Sequence, residues 1–239
     1  MRKKSLILIT LICFTTLIFT NAVFANTLDA LKSDNLEVKT LIKKVKNGSS
    51  TPQEVNDLFE KVKQGDAEAK KWFEDLAVND PQKVKKALEG VEVKNNDDIN
   101  IDFGDGSSIE ISLETLPTKE MGKIRNQVSA DYMFDITSSC TYKYKSGGII
   151  FGYYHIYCRY GFNDLGASAT IIDKWDEGDQ LYPVEVITRG VTTLKDKSNP
   201  VQVKGLAEIR AFSSTVENIK GQFTCYTKDW MTKNSCKWS

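Results

Sequence analysis

The spacing of apolar residues predicts that the chain changes from helices to strands near residue 90. Before that point, apolar residues recur every three or four positions, as on one face of an α-helix. The clearest helix begins at Thr51, because Thr51, Pro52 and Glu54 form a capping box with proline at the first helical position. Start and stop residues divide the region into four helices, which is typical of a small bundle. The similar segments that begin at Thr51 and Asp80 leave a repeated helical hairpin open as an alternative.

From Val91 onward the apolar residues recur at every second position, which predicts β-strands. Ile99 and Ile101 precede a Gly-Asp-Gly-Ser turn, and Ile109 and Ile111 follow it, so this segment is predicted to be a hairpin. Further strands are predicted at 132–144, 149–160, 167–175, 182–194, 201–212 and 221–228. The predicted fold class is therefore α+β, with a helical bundle followed by an antiparallel β-sandwich-like domain.

The first 25 residues fit neither pattern and have the features of a secretory signal peptide. Three basic residues precede an almost wholly apolar run, and Val23 and Ala25 occupy the −3 and −1 positions of a cleavage site. The run is barely long enough to cross about 30 Å of hydrocarbon, so we expect cleavage after Ala25 instead of a permanent anchor. The predicted organisation is a signal peptide at 1–25, a helical region at 26–90 and a β domain at 91–239.

Charge and composition agree with export and exclude one class of partner. The chain has 32 basic and 32 acidic residues, and loss of the three basic residues of the signal peptide leaves a net charge of −3. This balance provides no global attraction to nucleic acids or anionic membranes, so contact with a membrane is expected only through the transient signal peptide. The Lys-, Asn- and Ile-rich composition is typical of a secreted protein of a Gram-positive bacterium. The expected location is extracellular.

Four cysteines follow the predicted signal peptide, and an even number in an oxidising compartment predicts two disulfides. They are Cys140, Cys158, Cys225 and Cys236. A zinc site is not expected, because no two cysteines have a short C-x-x-C spacing. Free buried thiols remain the alternative.

Strand faces favour one pairing of these cysteines. Cys158 shares a face with Ile156, and Cys225 shares one with Phe223, so both are predicted to point into a core between two sheets. This favours Cys158 with Cys225, and the remaining two with each other, over two pairs that are local in sequence. The spacing around the Gly-Gly turn places Cys140 opposite His155.

His155 is the chain's only histidine, which restricts the possible catalytic chemistry. A serine or cysteine nucleophile would have to use it as the general base. The chain contains no Gly-x-Ser-x-Gly motif, and His155 lies in a tyrosine-rich strand, where packing is the simpler role. An enzyme is therefore not favoured, and no cofactor is expected.

One acidic cluster resembles a calcium loop but departs from its pattern. Asp98, Asn100 and Asp102 have the spacing of the first three ligands. The glycine required at position 6 is replaced by Phe103, and the glutamate at position 12 by Ile109. Alternation with apolar residues indicates a strand with one wet face, so no metal site is predicted.

A second acidic cluster surrounds Trp175 and comprises Asp173, Asp176, Glu177 and Asp179. The sequence Glu177-Gly178-Asp179 is typical of a hairpin tip. Paired carboxylates beside a tryptophan also suit a glycosidase, provided that the two carboxyl groups lie about 5 to 9.5 Å apart across a sugar.

Aromatic residues concentrate on one predicted hairpin, at both strand parities, so they cannot all face one core. Those selected as binding residues are Tyr142, Tyr144, Tyr153, His155 and Tyr157. Exposed tyrosines suit a protein partner or a sugar ring. The sequence thus predicts a secreted, non-enzymatic binding protein, with an extracellular protein or a cell-envelope polysaccharide as partner. A carbohydrate-binding module and a carboxylate-dependent hydrolase are the alternatives.

Overall fold

The structure is a computed structural model that describes residues 36–94, 97–117, 132, 134–212, 214–228 and 233–239. The predicted signal peptide at 1–25 and its cleavage site lie outside these ranges. Within them, no helix has the length and apolar character that a membrane crossing requires.

Helices form the first part of the described chain. They are α1 at 36–46, α2 at Pro52–Gln64, α3 at Ala67–Glu74, a 3-10 turn at Ala77–Asn79 and α4 at Pro81–Leu88. The capping box of α2 is formed as predicted, because Thr51 and Glu54 each accept the other's backbone N–H. Gly65 ends α2 with a φ of +86°, a left-handed conformation that glycine adopts readily. Asp66 and Asp80 cap α3 and α4.

Two antiparallel sheets of five strands follow the helices. The strands are β1 Glu92–Lys94, β2 Asp98–Asp102, β3 Ser107–Pro117, β4 Phe134–Ser146, β5 Ile149–Phe162, β6 Thr170–Gln180, β7 Val184–Lys195, β8 Val201–Ala211, β9 Ser214–Cys225 and β10 Ser235–Trp238. Sheet I has the order β2-β3-β4-β5-β6, and sheet II has the order β1-β10-β9-β8-β7. The α+β class with a sandwich-like arrangement is thereby confirmed.

The helices lie at one end of the sandwich and share its core. Val55 of α2 lies against the turn at Gly147, and Val45 of α1 lies against the turn at Gly106. The rings of Phe59 and Phe151 have centroids 3.8 Å apart. Apolar residues of the helices and of both sheets form one continuous cluster. The division of the chain into domains at residue 90 stays a prediction.

The β4–β5 hairpin contains a bulge that corrects one predicted pairing. The register shifts after Tyr144, where Phe151 is an extra residue on β5. As a result, Thr141 lies opposite His155, and the predicted pairing of Cys140 with His155 is wrong. Cys140 instead lies opposite Ile156, and both side chains are fully buried between the sheets.

The predicted hairpin tip at Glu177-Gly178-Asp179 is also wrong, because this segment belongs to β6 and pairs with β5. The strand continues to Gln180, and β7 begins at Val184. Gly178 serves a packing role instead of a turn. A Cβ atom on this residue would lie 3.0 Å from Cγ1 of Val186, so the glycine allows β7 to approach β6 closely.

The four cysteines are buried free thiols that lie in two neighbouring pairs between the sheets. The Cys225 thiol is hydrogen-bonded with that of Cys158, and the Cys236 thiol with that of Cys140. Burial, followed by these hydrogen bonds, raises the pKa of Cys225 and Cys236 well above the ordinary value. The sulfur atoms are not at disulfide-bonding distance. The neighbouring thiols are nevertheless those that were predicted to pair between the sheets.

Two facing glycines allow the sheets to approach closely in the middle of the core. Gly205 of β8 and Gly221 of β9 are cross-strand partners. A Cβ atom on Gly205 would lie 2.6 Å from Cγ1 of Ile156 and 2.6 Å from the Tyr154 hydroxyl. On Gly221 it would lie 2.2 Å from Cδ1 of Ile156. Side chains of sheet I therefore occupy the space that side chains would fill on sheet II.

We predict that Gly221→Ala lowers the free energy of unfolding by about 1–3 kcal/mol, because the added methyl group overlaps Ile156. Urea denaturation of the variant and the parent protein measures this loss. Ile156→Ala removes the overlapping atoms, so the double variant should be less destabilised than the sum of the two single variants. Additive losses would contradict the packing described for Gly221.

Candidate functional site

The structure places the five predicted binding residues on opposite sides of sheet I. Tyr142 and Tyr144 point inward and have exposed fractions of 0% and 1%. Tyr153, His155 and Tyr157 point outward, because successive side chains of a strand alternate between its faces. Only the outward residues offer surface to a partner, so the outward side of sheet I is the candidate site.

The outward aromatic side chains form one stack, which we call the aromatic row: Tyr153, His155, Tyr157 and Trp175. His155 and Tyr157 are stacked with ring centroids 5.7 Å apart and planes at 11°. Tyr157 and Trp175, from neighbouring strands, are stacked at 4.7 Å and 9°. Tyr153 contacts His155 edge to face at 4.6 Å. The row is thus a packed ridge across β5 and β6.

The stacking has a consequence for sugar recognition. A sugar packs against an open aromatic face. In this row His155, Tyr157 and Trp175 each have one face against a neighbour, and Tyr153 contacts His155 edge to face. Tyr157 is only 8% exposed. The ring faces that pack against a neighbour are closed to a sugar, and the carbohydrate-binding alternative stays a prediction.

His155 lies in the middle of the row, where its imidazole is hydrogen-bonded to β4. Its Nδ1 lies 2.9 Å from the Thr141 hydroxyl. Burial lowers its pKa, Lys143 lowers it further, and the opposing charge of Glu177 raises it. Among the described residues, the imidazole has threonine as its hydrogen-bonding partner and no serine or cysteine, so a hydrolytic triad is not assembled here.

The acidic residues of β6 differ in the groups that their carboxylates face. Asp176 points inward and accepts hydrogen bonds from the Tyr154 hydroxyl at 3.0 Å and the Gly190 N–H at 2.9 Å. Asp173 lies opposite Arg159, whose guanidinium is also hydrogen-bonded to Asp135. Asp176 therefore faces two hydrogen-bond donors, and Asp173 lies beside a cation.

Glu177 is the carboxylate of β6 that contacts the aromatic row. It lies opposite His155 and accepts a hydrogen bond from the Tyr157 hydroxyl at 3.4 Å. Burial, reinforced by the charge of Glu177, raises the pKa of Tyr157 to about 12. The phenol therefore stays protonated at neutral pH and serves as a donor. Glu177 is exposed and has remaining acceptor capacity for a partner.

A polar hollow of about 560 Å³ lies farther across sheet I, over β2 and β3. Glu110 lies at its edge, where hydrogen bonds from Lys143 and Lys145 lower the pKa of its carboxyl. The lining includes Asp98, Ser112, Glu114 and Leu116. Within the described ranges, no three potential metal ligands are grouped.

Acidic side chains dominate the outward side of sheet I, which we call the acidic face. In the described strands, eight carboxylates point outward: Asp98, Asp102, Glu110, Glu114, Asp135, Asp173, Glu177 and Asp179. Three basic side chains point the same way, Lys143, Lys145 and Arg159. Glu110 binds both lysines, and Asp135 binds the arginine. The excess charge of this face is therefore negative.

The outward side of sheet II, which we call the basic face, has the opposite charge. Its described strands direct seven basic side chains outward: Lys94, Arg189, Lys195, Lys204, Arg210, Lys220 and Lys237. They direct three carboxylates outward, Glu92, Glu185 and Glu208. A nearly neutral chain thus folds into a sandwich whose two outward sides carry opposite charges.

Several residues of the acidic face were not selected from the sequence. Thr141, Lys143 and Glu110 join the site only because β3 and β4 pair with β5 in this register. Their polar character at alternate positions indicates an outward face. The bulge at Tyr144 determines which of them lies beside His155.

No protein-family model, curated protein or solved structure matches this chain. Its function is therefore inferred from its own residues.

We predict that the single imidazole titrates below the 6.5 of an exposed histidine, because the folded protein buries His155. NMR of its Hε1 proton measures the pKa directly. Lys143→Gln should raise this pKa and Glu177→Gln should lower it, since the two charges act in opposite directions. Shifts of the same sign would contradict the described surroundings of the ring.

The same pKa shift predicts an effect on stability. The unfolded chain binds the proton more readily than the folded one, so His155 reduces stability as the pH falls below about 6.5. His155→Gln should therefore lose less stability than the parent protein between neutral and mildly acidic pH, as measured by urea denaturation at each pH.

Proposed function

We propose that this protein is an exported binding protein that holds the basic surface of a protein partner on its acidic face. The main support for this proposal is the excess of outward carboxylates on sheet I, beside a packed aromatic row. Glu114, Glu177 and Asp179 are exposed there and are directed away from the core. Opposite charge across an interface accelerates association and selects the partner.

The packed ridge supports binding more than catalysis. Aromatic side chains that are already stacked lose little conformational entropy when a partner covers them, and Tyr and Trp are enriched among residues that dominate binding energy. Catalysis would need a nucleophile or an acid pair aimed at one reacting atom. The described hydrogen bonds of His155, Asp176 and Asp173 instead satisfy neighbouring groups of the protein.

The predicted signal peptide supports an extracellular partner. A leader with three basic residues and a cleavage site at Ala25 directs the chain across a membrane. The proposed partner is consequently another exported or surface protein. Its recognised surface should be rich in lysine and arginine, because these side chains complement exposed carboxylates.

A labelled oligolysine peptide provides a probe of the acidic face. We predict that the joint change Glu177→Gln and Asp179→Asn weakens its binding about tenfold at low ionic strength, measured by fluorescence anisotropy. The matched control is Glu92→Gln with Glu185→Gln, which removes the same charge from the basic face. The control should bind within about twofold of the parent protein, since net charge alone has little effect. Equal weakening of peptide binding by both double substitutions would contradict a site on sheet I.

We also propose that the neighbouring thiols become disulfides after export, joining Cys158 to Cys225 and Cys140 to Cys236. Their burial between the sheets and their mutual hydrogen bonds support this pairing. Oxidation in an exporting cell would convert two thiol contacts into covalent links between sheets I and II.

Peptide mapping of the non-reduced, exported protein should recover these two linked pairs. Reductant should then lower the free energy of unfolding by about 2–4 kcal/mol per bridge. A variant with Cys140→Ala and Cys236→Ala keeps one bridge and should lose about half as much as the parent protein on reduction. Recovery of links within each sheet, or of four free thiols, would contradict the proposal.

A further inference from the structure

We infer that the acidic face of one molecule binds the basic face of a second copy, so that the sandwiches stack head to tail. This inference rests on the proposed binding role of the acidic face and names its partner. The opposite charges of the two outward sides support the inference, because each molecule presents both halves of one complementary interface.

Charges remain available on both faces after the internal ion pairs are formed. On the basic face, Glu208 binds Arg189 and Arg210, and Glu92 binds Lys237. This leaves four lysines without a carboxylate among the described ion pairs: Lys195, Lys204 and Lys220 on the long strands β7, β8 and β9, and Lys94 on the short strand β1.

The acidic face provides their counterparts. Glu114 on β3 and Glu177 and Asp179 on β6 are exposed and lie on either side of the aromatic row. Lysine stems can cover the ring edges of the row while their ammonium groups reach these carboxylates. Charge and apolar contact therefore act at the same place.

The faces are large enough for a specific contact. Sheet II has three strands of 11 or 12 residues and two short ones. With about 4.8 Å between strands and about 3.3 Å per residue, its outward side covers roughly 600 Å². Stable interfaces begin near 600 Å² per partner, and two twisted sheets pack face to face with strands about 30° apart.

The geometry determines the form of the assembly. The two faces lie on opposite sides of one sandwich, so a contact between unlike faces leaves one of each kind free at the ends. Such a heterologous contact extends along one axis instead of closing as a two-fold dimer. The helices lie at the end of the sandwich, where Val45 and Val55 contact the turns at Gly106 and Gly147.

Two variants test this arrangement by sedimentation velocity. The acidic-face variant carries Glu114→Gln, Glu177→Gln and Asp179→Asn, and the basic-face variant carries Lys195→Gln, Lys204→Gln and Lys220→Gln. At about 50 mM salt, the parent protein should form oligomers whose size grows with protein concentration. At about 300 mM salt, the affinity between copies should be about tenfold weaker. Each variant alone should be monomeric. Their equimolar mixture should form a heterodimer and nothing larger, because each variant retains one working face.

Other outcomes overturn the inference. A mixture that stays monomeric, or a single variant that still associates, would show that unlike faces do not bind each other. Oligolysine binding then separates the two proposals. If the acidic face still determines peptide binding while the parent protein stays monomeric, the proposed function holds. In that case only the proposal that the partner is a second copy is contradicted. If peptide binding is insensitive to that face, both proposals fail.

Discussion

The close contact of the two sheets at Gly205 and Gly221 is the constraint on which the rest of the structure depends. Ile156 and Tyr154 of sheet I occupy the space that side chains would take on sheet II. This contact sets the separation of the sheets and fixes which residues of β5 point inward. The helices, both sheets and the four cysteines belong to one apolar cluster. A change in the separation of the sheets would therefore alter the packing of all these elements.

The inward packing of β5 determines the chemistry of its outward side. A strand places alternate side chains on opposite faces, so burying Tyr154 and Ile156 necessarily directs Tyr153, His155 and Tyr157 to the other side. Trp175 and Glu177 are then added by pairing with β6. One register therefore has two consequences. It places the aromatic row and its carboxylates on the outward side of the sheet, and the thiol pairs on the inward side.

Local signals predicted the elements better than their pairing. The caps at Thr51 and Asp80 and the hairpin around Ile101 and Ile109 involve residues close in sequence, and the structure has them as predicted. The segment at 177–179 has turn residues but continues a strand, because Gly178 is required by the approach of β7. Local composition cannot distinguish a glycine needed for a turn from one needed for packing.

The sequence by itself determined the helices, the alternation of the strands and the single imidazole, because each depends on residue type and spacing. Only the tertiary structure decided that β3, β4, β5 and β6 unite their carboxylates on one side while β7, β8 and β9 unite their basic residues on the other. It also decided the neighbours of Cys140 and His155, through the bulge after Tyr144. The physical reason is that sheet membership and register follow from packing between residues far apart in the chain, where a shift of one residue reverses every side chain.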